Sequence, residues 1–185
     1  MRKMLATLMF LLEACAPTTD PTSVPVRLVA EQVALMDEAV ALIKRYEGWH
    51  TEDDYPYVGY GHSLQPGESF NARITELTAD SLLRADLQQK CAVFRRFGRD
   101  SLLLGVLAYN VGEYRLLGYC SRPKSRLVEK LEAGDRDIRE EYISFRKWQG
   151  RVVPSIERRR KEEFDLLYGK TKITYRYEND DTTRK

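Results

Sequence analysis

The chain has 185 residues, 43% hydrophobic and 31% charged, which suits one soluble domain with a core of its own. The net charge is only +2, which argues against a nucleic-acid protein with its concentrated basic face. Basic residues do cluster, at Arg95-Arg96 and at Arg158-Arg159-Arg160-Lys161, and the ordinary reading of such runs is the wet face of a helix.

Residues 1–14 read as a signal peptide. Arg2 and Lys3 give a positive start, and Met4 to Leu12 is an apolar run too short to span a membrane. Leu12-Glu13-Ala14-Cys15 resembles the bacterial lipoprotein cleavage box, with Cys15 as the first mature, lipidated residue. Residues 15–27 are rich in Pro, Thr and Ser and read as a flexible tether. The folded domain is expected over 28–169, with a loose polar tail at 170–185.

The first helix is expected to run to Glu47. Val29, Val33, Met36, Val40 and Ile43 form one face at helical spacing, and Glu47 is the next position in that series. Gly48 stops the helix. A carboxyl group carried towards apolar neighbours would have its charged form disfavoured, the condition a general acid needs near neutral pH. Residues 49–66 are rich in Trp, Tyr, Gly and Pro and predict a small β-hairpin. Thr75 then offers a helix N-cap, with Leu83, Leu87, Cys91 and Phe94 inward and Gly98 as the stop. Asp100 is placed to cap the next helix, Ser101 to Val111, which is apolar on nearly every side and so reads as a buried central helix. Ser125 to Ala133 predicts a short helix closed by Gly134. Asp135 opens another, with Ile138, Tyr142, Phe145 and Trp148 inward. Gln149-Gly150 makes a turn, and Pro154 starts a last helix that stops at Gly169. The fold class is α+β and predominantly helical.

Four segments, in order, resemble the phage-type lysozymes (endolysins). They are Leu42 to Gly48 with its Glu-Gly ending, Val58-Gly59-Tyr60-Gly61-His62, the Ile74-Thr75 helix with Leu82 to Leu87, and Ala108 to Gly112 followed by Leu127 to Asp135 and by Pro154 with Arg158-Arg159-Arg160. The resemblance spans about residues 28–168. It implies a lysozyme-like fold and a muramidase that cleaves the β-1,4 bond between N-acetylmuramic acid and N-acetylglucosamine in peptidoglycan. It places Glu47 as general acid and calls for no cofactor or metal. The family's usual aspartate and threonine are displaced: the interval is shorter, Tyr57 stands at the threonine's place, and Asp54 or Asp53 is the candidate second carboxylate. The alternative is that this acidic run is a solvated loop, which would suit a lytic transglycosylase or a catalytically weak wall-binding module. Tyr57, Tyr60, His62 and Asn110 are candidate substrate contacts, with a structural role open for each. Cys91 and Cys120 either pair or stay free. The export signal implies a periplasmic or envelope location with a lipid anchor in the membrane. Peptidoglycan strands would be the partner, and an envelope-spanning transfer machinery, as in conjugative elements, is the natural comparison.

Overall fold

A computed structural model describes the backbone of residues 26–71 and 73–182, and the side chains of 29–71 and 73–168. The expected signal peptide, the lipidation site Cys15 and nearly all of the tether lie outside the described residues. Among the described residues, seven helices and two small hairpins follow in order: α1 (Val26–Glu47), β1 (Tyr57–Val58), β2 (His62–Ser63), α2 (Glu76–Val93), α3 (Ser101–Val111), α4 (Tyr114–Leu117), α5 (Arg126–Glu132), α6 (Arg139–Ile143), β3 (Lys147–Trp148), β4 (Arg151–Val152) and α7 (Pro154–Thr182). Short 3-10 segments lie at Glu52–Asp54 and Arg95–Asp100.

The boundaries follow local chemistry. Gly48, at φ 71°, closes α1, and its N–H donates to the Lys44 carbonyl. The Thr75 hydroxyl accepts from the Thr78 N–H at 3.2 Å and starts α2. Ser125 caps α5 in the same way through Val128. The core gathers around α3, whose residues Leu103 to Ala108 are all buried. Each such leucine or valine contributes roughly 1.5–3 kcal/mol relative to exposure. α2 lies close on α3 at Gly105, where a Cβ would stand 2.6 Å from Cys91 Sγ. β1 and β2 pair antiparallel, with Tyr57 opposite Ser63 and Val58 opposite His62. This hairpin presses on α2: a Cβ on Gly59 would meet Ala79 Cβ at 2.6 Å.

Several expectations need correction. The apolar stripe of α1 is buried only in its second half. Val40 and Ile43 join Ala39 and Leu42 inside, while Val29 and Val33 are exposed because no described element covers that end. Asp100 does not cap α3 with its side chain; its carboxylate takes both guanidinium nitrogens of Arg136 instead. Asp135 makes a local turn by accepting from the Asp137 N–H, and the helix after it starts only at Arg139. That helix ends at Ile143, so Trp148 is not inward but 65% exposed on a second hairpin about Gln149-Gly150. The last helix runs through Gly169 to Thr182. A glycine inside a helix costs only about 1 kcal/mol, so on its own it need not stop one.

Candidate active site

Three helices bring five polar side chains to one place. α1 ends at Glu47, α3 carries Asn110 in its last turn, and α7 presents Arg159, Arg160 and Glu163 from its second and third turns. Arg159 Nη1 lies 2.8 Å from Glu47 Oε1. Asn110 Nδ2 donates to the same oxygen at 3.4 Å. Arg159 Nε donates to Glu163 Oε1 at 2.8 Å, and Arg160 Nη1 to Glu163 Oε2 at 2.6 Å. Arg160 Nη2 donates to Asn110 Oδ1 at 2.5 Å. Those five contacts close a ring of five side chains. The Tyr142 hydroxyl on α6 adds a donor to Glu163 Oε2 at 2.9 Å. Arg160 and Glu163 are fully buried, whereas the Glu47 side chain keeps 20% of its surface open. Burial works against Arg159's charge, yet Glu163 and then Glu47 hold the guanidinium above its ordinary value. Burial and the Glu163 carboxylate likewise push the Tyr142 hydroxyl well up.

The hairpin side of the site is held by hydrogen bonds rather than by apolar contact alone. His62 is buried between Asp86 on α2, at 2.8 Å from Nδ1, and Glu68, at 2.9 Å from Nε2. Burial disfavours the imidazolium, but the two carboxylates outweigh that and raise its pKa. The Tyr109 hydroxyl on α3 donates to the Tyr60 carbonyl at 3.0 Å, and the Tyr60 hydroxyl to Glu76. Trp49 stands edge-on to Tyr60 and is 43% exposed. Thr51 donates from its N–H and its hydroxyl to Asp54 Oδ2, at 2.7 and 3.1 Å, and these bonds hold the Asp54 carboxyl below its usual range.

The family model described as phage lysozyme matches residues 44–163, well over half of the chain. The chain belongs to the phage lysozyme family. Among solved structures, the muramidase domain of SpmX from Asticaccaulis excentricus resembles it with a TM-score of 0.53 and 22% identity, over 70% of this chain and 94% of that one. At that identity the likeness is one of fold. No curated protein matches the chain.

In this phage lysozyme family member the ring departs from the sequence reading at several points. Glu47 and Asn110 touch, but the group facing Glu47 is a guanidinium rather than an apolar wall. Asp54 serves its own turn, and Glu52 pairs with Arg73 at 3.0 Å. Asp53 is exposed, and neither it nor Asp54 bonds to any member of the Glu47 ring. His62 has both nitrogens engaged and is 6% exposed, so it holds the hairpin to α2 and has no ring nitrogen left for a sugar. Tyr57 is exposed and Tyr60 half-buried on the hairpin. Cys91 and Cys120 are free thiols. The basic run is no wet face: Arg158 and Lys161 are exposed, but Arg159 and Arg160 are buried. Tyr109, Arg159, Arg160, Glu163 and Tyr142 were not singled out as site residues from sequence. One signal for three of them was present, since Glu163 follows Arg160 by three and Arg159 by four, the spacing of helix ion pairs.

Proposed function

We propose that this protein is a peptidoglycan-degrading muramidase in which Glu47 is the general acid. The observation that carries the reading is the grip on Glu47 in a phage lysozyme family chain: Arg159 and Asn110 both bind Oε1, and no described residue donates to Oε2. Oε2 is therefore the oxygen that can carry a proton to the leaving glycosidic oxygen. The engagement of Asp54 by Thr51 and of Glu52 by Arg73 favours a second reading, a lytic transglycosylase that needs no partner carboxylate from this loop.

The test incubates the full chain with purified peptidoglycan and weighs the soluble products beside Glu47→Gln. Reducing-end muropeptides that disappear in the variant support the muramidase. Anhydro-muramyl products select the transglycosylase. No release by a folded chain that sediments with the wall leaves only a wall-binding module. Export and lipidation at Cys15, which would confine cutting to the cell envelope, rest on the sequence alone. Labelled fatty acid should enter the wild-type chain and not Cys15→Ala; equal labelling removes the anchor from the proposal.

A further inference from the structure

The ring behind Glu47 is expensive for what it does for stability. Replacing a buried ion-pair network by apolar groups of similar volume is often neutral or stabilising by about 1–4 kcal/mol, so burial of Arg160 and Glu163 is not explained by folding energy. The ring is also rich in donors. Arg159 Nη2 and Arg160 Nε are buried with no partner, while Glu163 takes three donors on its two oxygens. Glu163 is the member that touches both arginines, and each arginine leads to Glu47, directly for Arg159 and through Asn110 for Arg160.

The charge arrangement gives that position a consequence. A lone guanidinium 2.8 Å from Glu47 would favour the carboxylate form and so oppose an acid. Arg159 is not alone: Glu163 sits on it at the same distance, is more deeply buried, and does more than Glu47 to hold its charge. The groups facing Glu163 are Arg159 and Arg160 on its own helix and Tyr142 on α6. Those acting on Glu47 are Arg159 on α7 and Asn110 and Tyr109 on α3.

We propose that Glu163 is a positioning residue for Glu47, taking up most of the Arg159 charge and aligning both arginines so that Glu47 Oε1 is held and Oε2 stays open. Its role in turnover rests on Glu47 being the acid; its electrostatic hold on Glu47 does not.

The full chain is compared with Glu163→Gln and Glu163→Asp. The Glu47 carboxyl carbon is followed by NMR through pH, and muropeptide release is measured through the same range. In Glu163→Gln the Glu47 titration should move to lower pH, since Arg159 is left to Glu47 alone. The high-pH limb of the rate profile should move with it, with a loss of activity at neutral pH. Glu163→Asp keeps the charge but reaches less far, so the limb stays while kcat falls several-fold. A folded Glu163→Gln with the wild-type titration and profile overturns the proposal. If that variant does not fold, Glu163→Asp decides, and a wild-type kcat in it overturns the proposal equally. A titration shift in a protein whose wild type releases nothing supports the electrostatic hold and sinks the acid reading alone.

Discussion

His62 makes stability depend on pH. Its folded pKa lies above the ordinary value near 6.5 because Asp86 and Glu68 favour the imidazolium. A raised pKa means the stabilisation is fully present below about 6.5 and is lost as pH rises through the folded value. Denaturant unfolding should therefore show stability falling as pH rises through that value. His62→Asn should remove this dependence; an unchanged slope in the variant assigns it elsewhere. At this scale Glu47 was legible because it completes a helical series and precedes a stop glycine. Its holders were less so. Arg159 looks like any other arginine in a basic run until α7 is rotated into place, and a single sequence does not give that rotation.

Helix contacts depend on single atoms. Gly105 lets α3 approach α2 so closely that an added Cβ would stand 2.6 Å from Cys91 Sγ and 3.1 Å from the Cys91 nitrogen. Gly105→Ala should cost about 1–3 kcal/mol, the range for overpacking a tight core. Removing the sulfur relieves the closest contact but not the backbone one. Cys91→Ala/Gly105→Ala should thus be less destabilised than the sum of the two single variants. Thermal or denaturant unfolding of the four proteins measures this, and strict additivity would contradict the packing account. Most helices were legible from caps and apolar spacing. The second hairpin was not, because Lys147, Trp148, Arg151 and Val152 are all exposed and show no alternation of buried and open positions. Only its Gln149-Gly150 turn could be read.

The two thiols report on the whole molecule. Burial pushes Cys91 up to about 11, while Cys120 is exposed on the turn that joins Tyr119 to Arg122. In a Cys15→Ala background a thiol reagent should find one fast group, Cys120, and a second that reacts only as fast as the protein opens. Two fast groups, or none without reductant, would contradict the free and buried assignments. At this scale the collinear motifs were enough to give the fold. They did not show how the two ends of the domain meet, because that meeting is made by Glu47 on α1 and Arg159 on α7.

The same meeting sets when the site comes into being. A ribosome makes the glutamate with the first described helix and its arginine only with the last. Until α7 has docked, the nascent chain carries a glutamate without the arginine that grips it. On the muramidase reading, cutting power arrives with the completed domain and is lost when the chain is clipped ahead of Arg159. A half-made or damaged copy is then harmless to the wall of the cell that makes it.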